Sequence, residues 1–158
     1  MANICNNFLQ AFGEEAEIKK LDAFLRGIFT EESKEDAGVL MFDDDEEYIF
    51  DFYFNEELGC YSFWTKWAPT YYTLVTLVKD FPALDFELWY EELGMGIFGI
   101  YNSEKGEIHD TFLVDDEIDL VEPVDEDYTE WTYNGETYEC REEALNIILD
   151  LKRKNCNA

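Results

Sequence analysis

Apolar residues in the first hundred positions change their period in a definite order, and that order leaves few folds open. Asn3 to Phe12 reads as a strand that Gly13 ends. From Glu14 to Phe29 the apolar positions Ile18, Leu21, Phe24, Leu25 and Ile28 fall on one helical face. Glu14, Glu15 and Glu17 sit in its first turn, where the helix dipole favours negative charge. Thr30 to Gly38 is polar and reads as a loop. Tyr48 to Phe54 alternates, with Phe50, Phe52 and Phe54 on one side and Asp51, Tyr53 and Asn55 on the other. Asn55 to Gly59 is a turn, and Cys60 to Trp67 the returning strand. Pro69 suits the first turn of a helix whose stripe is Leu74, Val75, Leu77, Val78 and Phe81, and Pro82 stops it. Leu84, Phe86, Leu88 and Tyr90 then alternate with Asp85, Glu87 and Trp89, and Met95 to Tyr101 returns across Glu92 to Gly94.

The order is β-α-β-β-α-β with an added strand, the split arrangement of an α+β ferredoxin-like antiparallel sheet. Two helices would cover one face, leaving the other to be covered or to carry function. After a further strand over Ile108 to Val114, composition shifts. Asp110 to Glu130 holds ten acids and no Lys or Arg. Thr129 to Glu139 places two short aromatic strands around Asn134-Gly135, a strong hairpin signal. Glu142 to Lys154 closes the chain as a helix with Ala144, Leu145, Ile148, Leu149 and Leu151 apolar. The expectation is a single domain over 1–158, with a core over 1–102 and an acidic extension over 103–158 that packs on the main sheet.

Charge bounds the partners. Thirty-eight acids against eleven bases give a net charge of −27, yet 17% of residues are aromatic. A disordered acidic tail is poor in aromatics, so this is a folded polyanion. Nucleic acid and anionic lipid both reward Lys and Arg, so neither is an expected partner. No apolar run approaches the ~20 residues that span a bilayer. No signal peptide is visible, and the separated Cys5, Cys60, Cys140 and Cys156 read as reduced thiols rather than a disulfide framework, so a cytoplasmic location is expected.

The acids come in runs that no core could hold: Asp43, Asp44, Asp45, Glu46 and Glu47, then Asp115, Asp116, Glu117 and Asp119, then Asp125, Glu126 and Asp127. One reading is a solvated surface. The other is a phosphate-like array shown to a protein that grips nucleic acid, since duplex DNA carries one charge per ~1.7 Å of axis. A rigid array would lose little entropy on docking. Under that reading the two blocks lie on exposed loops or strand ends within reach of one partner surface. Asp115, Glu117, Asp119 and Glu126 fall at ligand places of an EF-hand-like loop, but Leu120 stands where glycine is required, so no metal site is expected.

Other candidates are weaker. His109 is the only histidine, and no local signature joins it to Cys60 or Cys140 as a nucleophile. An enzyme would need a pocket in which a carboxylate, one of these thiols or His109 has a shifted pKa. Gly99 lies in a strand pattern, where close backbone approach is the simpler cause. Trp64, Trp67, Tyr71, Tyr72 and Trp89 could stack bases, but only Lys66 and Lys79 lie near to hold phosphate. Core and protein-interface roles are expected for these rings.

Phe63-Trp64-Thr65-Lys66-Trp67-Ala68-Pro69, Phe81-Pro82, Phe86, Tyr90-Glu91 and Phe98-Gly99, together with Met1-Ala2-Asn3, Asn7 and Gly13, resemble the YubB-type ferredoxin-like family over about residues 1–102. Its members are carried largely by plasmids, phages and related mobile elements. The resemblance implies a ferredoxin-like sheet and brings no catalytic residues. It departs after the first helix, where Val39 to Phe42 and the acids from Asp43 replace a proline-containing segment. The functional expectation is a non-enzymatic inhibitor, without cofactor, that occupies the basic surface of a nuclease, restriction enzyme or CRISPR effector. The alternatives are an immunity or antitoxin-like protein and a ferredoxin-like enzyme.

Overall fold

Strand β1 (Ile4–Phe12) lies at the centre of a seven-stranded antiparallel sheet, between β4 (Cys60–Lys66) and β5 (Asp85–Glu92). The computed structural model describes residues 3–29, 38–42 and 45–156, with side chains for all of these except 38–42 and 45–48. Beyond β4 come β3 (Asp45–Phe54) and the edge strand β2 (Gly38–Phe42), and beyond β5 come β6 (Ile97–Glu104) and β7 (Glu107–Phe112). Helix α1 (Glu15–Ile28) follows β1, and α2 (Tyr71–Asp80) follows β4. The central order β3-β4-β1-β5 with these two crossovers is the expected ferredoxin-like arrangement. Three strands extend it: β6 and β7, both expected, on one edge and β2 on the other.

Period-two alternation decides what each face does. On β1, Cys5, Asn7, Leu9 and Ala11 are buried, while Asn6, Phe8 and Gln10 take the opposite face. The first set meets Leu21 and Leu25 of α1 and Leu74, Leu77 and Val78 of α2, with Tyr61, Phe63, Phe86 and Leu88 from neighbouring strands. Each such aliphatic side chain contributes about 1.5–3 kcal/mol by leaving water.

Four local expectations need correction. Strand β3 does not alternate throughout, because its pairing with β4 slips between Phe50 and Tyr53, where Asp51 adopts a φ of +50°. This bulge inserts one residue, so Phe52 faces the helical core while Phe50 and Tyr53 share the other face. Pro69 precedes Thr70, the residue before α2, and so lies outside the first turn. The stripe of α2 buries Thr73 and leaves Val75 exposed. The β5–β6 link is a short 3-10 turn over Leu93–Met95.

The acidic extension is folded. It comprises one helical turn, α3 (Asp115–Ile118), three short strands, β8 (Glu122–Pro123), β9 (Trp131–Tyr133) and β10 (Glu136–Tyr138), and α4 (Arg141–Cys156). Asn134 and Gly135 take φ of 51° and 80°, the left-handed pair that a tight β9–β10 hairpin requires. Helix α4 buries Ala144, Leu145, Ile148 and Leu149 against Phe98 and Ile100 of β6, and Leu113, Ile118 and Val121 complete this second core. The second sheet face is thus covered at β6 but open over β1, β4 and β3. Among the described residues no helix is long and apolar enough to cross a membrane.

Candidate functional site

The acids predicted as a binding surface separate into three groups. Asp43 and Asp44 lie outside the described residues. Asp45, Glu46 and Glu47 form the first end of β3, paired with Phe42, Met41 and Leu40. Asp115, Asp116, Glu117, Asp119, Asp125, Glu126 and Asp127 follow β7, at the opposite edge of the sheet. With strands about 4.8 Å apart, β2 and β7 are separated by roughly 29 Å.

The second block is structurally defined. Glu117 accepts a hydrogen bond from the Val114 amide at 2.9 Å and pairs with Lys152 at 2.6 Å. These partners lower its pKa against the opposing effect of partial burial. Asp125 accepts from both the amide and the hydroxyl of Thr129, which lowers its pKa and closes the turn before β9. Asp115, Asp116, Asp119, Glu126 and Asp127 are exposed. Among the described residues no cluster of His, Cys, Asp or Glu converges as a metal site.

The open half of the second sheet face holds a groove of about 420 Å³. Two cross-strand rows make its floor. Asn6 stands between Trp64 and Glu91, and Phe8 stands between Ser62 and Trp89. Phe50 lies opposite Trp64 and Tyr53 opposite Ser62, so the β3 bulge adds aromatic surface and turns Asp51 into the groove. Helix α4 supplies one wall through Asn146. Trp64 is 40% exposed and Tyr53 53%, an unusual state for rings on a sheet.

The groove's charged groups are the carboxylates Glu91 and Asp51. Burial pushes the Glu91 carboxyl above its ordinary pKa; the Asn6 hydrogen bond opposes this and the nearby Glu142 charge adds to it. Asn146 Oδ1 is buried with no hydrogen-bond partner among the described residues. Among the described residues no Lys, Arg or His lines the groove. Next to it, Arg153 sits 5.5 Å from the Trp89 ring centre and donates to Glu87 at 2.7 Å.

The remaining candidates lie elsewhere. His109 is exposed on β7, 4.0 Å from Glu107. All four cysteines are free thiols. Burial pushes Cys5 up to about 11 and also raises Cys60 and Cys140, the reverse of an activated nucleophile. Trp67, Tyr71 and Tyr72 are exposed, outside the groove. Gly99 is explained by close approach: a Cβ there would meet the Tyr90 ring and the Thr111 carbonyl at 2.7–2.8 Å. Sequence reasoning singled out Trp64 and Trp89 but not Asn6, Asp51 or Asn146. The outward positions of β1 carried the signal for Asn6; the bulge that turns Asp51 inward left none.

No curated protein and no solved structure matches the chain. Residues 47–141 match the family described as the ferredoxin-like domain in Api92-like protein. The match runs from β3 to the first residue of α4, so it contains Asp51, Ser62, Trp64, Trp89 and Glu91 of the groove and the whole acidic block that follows β7. It spans more than half of the sequence and agrees with the sheet order, and the chain belongs to this family of ferredoxin-like domains of Api92-like proteins.

Proposed function

We propose that the chain is a non-enzymatic acidic binding protein that occupies the basic nucleic-acid site of another protein. The YubB-type resemblance supports a mobile-element origin. The target class is then a host nuclease, restriction enzyme or CRISPR effector, met in the cytoplasm. One observation carries the reading: the acids from Asp115 to Glu130 are mounted on folded pieces rather than on a tail. Ile118 and Val121 anchor the segment in the second core, and Asp125 and Glu117 fix its turns by hydrogen bonds. A charge array already ordered loses little entropy on docking, and a field of this sign and size steers basic surfaces toward it.

The groove fits binding better than reaction. Among the described residues of its lining no histidine, lysine or cysteine stands with the raised carboxyl of Glu91, and the neighbouring Cys5 thiol is itself pushed up by burial. The test is co-purification from host lysate, comparing the wild type with a variant carrying Asp116→Asn, Asp119→Asn, Glu126→Gln and Asp127→Asn. None of these four carries a structural hydrogen bond described above. Capture that falls with the substitutions and falls again at about 0.5 M salt supports the reading. Capture indifferent to both overturns it.

A further inference from the structure

We infer that the groove is a receptor for an arginine side chain presented by a basic polypeptide, with the guanidinium stacked on Trp64 and paired with Glu91. This identifies a contact of the proposed partner and so rests on that reading, but its evidence is separate from the acidic block. The groove's carboxylates, Glu91 and Asp51, and its buried unpartnered side-chain oxygens, Asn7 Oδ1 and Asn146 Oδ1, all accept hydrogen bonds. A guanidinium brings five N–H donors in one plane and a delocalised charge that stacks on aromatic faces. Anionic ligands would be repelled by both carboxylates of the lining.

The chain itself pairs cations with a ring and a carboxylate, Lys152 between Phe112 at 5.6 Å and Glu117 at 2.6 Å among them. Each of its three arginines lies over an aromatic ring: Arg26 on Phe54 at 4.1 Å, Arg141 on Trp131 at 5.0 Å and Arg153 on Trp89 at 5.5 Å. Two of them also bind a carboxylate at 2.7 Å, Asp22 and Glu87. Trp64 and Glu91 flank Asn6 in a single cross-strand row and repeat this pairing of ring and carboxylate, with no cation among the described residues of the groove lining.

The occupant is a polypeptide rather than a free cation because the groove continues. A second depression of about 290 Å³ shares Asn6 and Glu91 with it and adds Glu92 and Glu142. A third, about 380 Å³, shares Leu93 and Gly94 with the second and reaches Asp115 and Asp119, with Arg141, which lies over Trp131, as its one cation among the described residues. Glu92 Oε2 is a further buried acceptor without a partner among the described residues. The path therefore leads from the arginine receptor along acids to the acidic block itself, the length of surface that a basic segment would cover.

Equal-length oligo-arginine and oligo-lysine peptides, titrated by calorimetry at about 0.1 M salt, test this. The oligo-arginine peptide should bind at least about fivefold more tightly, and Trp64→Ala should remove that advantage. Trp64 is exposed, and the isosteric Glu91→Gln gives a second probe that should weaken oligo-arginine while leaving oligo-lysine unchanged. Equal affinities, unaffected by either substitution, would overturn the arginine receptor while leaving the acidic-surface reading intact. Failure of both peptides to bind would overturn both. N-acetylarginine amide binding as tightly as the peptide would overturn the polypeptide occupant.

Discussion

Asn6 Nδ2 donates a 3.2 Å hydrogen bond to Glu91 Oε1 across the β1–β5 pair. The carboxyl is thereby held against the sheet, where burial raises its pKa despite the hydrogen bond. An acid whose folded pKa is raised contributes stability that is present below its unfolded pKa and is lost as pH rises through the folded value. Glu91→Gln should therefore be more stable than wild type at pH 7, with the difference closing toward about pH 4.5. Thermal melts of the two proteins across that range check it.

Gly99 and Tyr90 form a second coupled pair. The Tyr90 hydroxyl donates to Asp110 at 2.6 Å directly over Gly99. Burial and this acceptor both raise the Tyr90 pKa, so it stays protonated and donating at all ordinary pH. Gly99→Ala should cost about 1–3 kcal/mol by overpacking. Tyr90→Phe in the same chain should recover part of that loss, because it removes the nearest obstructing atom. A double-mutant cycle from denaturant melts measures the coupling.

Self-repulsion among 38 acids and 11 bases weakens the folded state. Added sodium chloride should raise the melting temperature up to about 0.5 M, where the Debye length has fallen to a few ångströms. A flat response would mean that local ion pairs, such as Lys152 with Glu117, already balance the surface.

The same field opposes phosphate. Gel-shift assays with duplex and single-stranded DNA at physiological salt should show no binding. A sub-micromolar shift would remove the basis of the charge argument.

The fold was legible where apolar residues kept a strict period. Leu9 and Ala11 on β1, Leu21 and Leu25 on α1, and Leu145 and Leu149 on α4 each announce their face by spacing. Legibility failed where one residue broke the period. The extra residue at Asp51 reverses Phe50 relative to Phe52, and local propensity gives no sign of it because the bulge is set by pairing with β4. The acidic blocks were visible as composition, but their use was not. Glu117 and Asp125 brace turns, Asp45 to Glu47 sit in a strand pair, and neighbouring acids face solvent. The groove was hidden because its row of Trp64, Asn6 and Glu91 joins three strands far apart in sequence.

Competition for a captured partner is the most direct measurement of the central claim. The partner recovered from lysate would be titrated with labelled duplex DNA in the presence of increasing amounts of this protein. Mutually exclusive binding is expected, with the protein displacing DNA and the acid-neutralised variant failing to do so. A stable ternary complex, in which the partner holds DNA and this protein together, would contradict it.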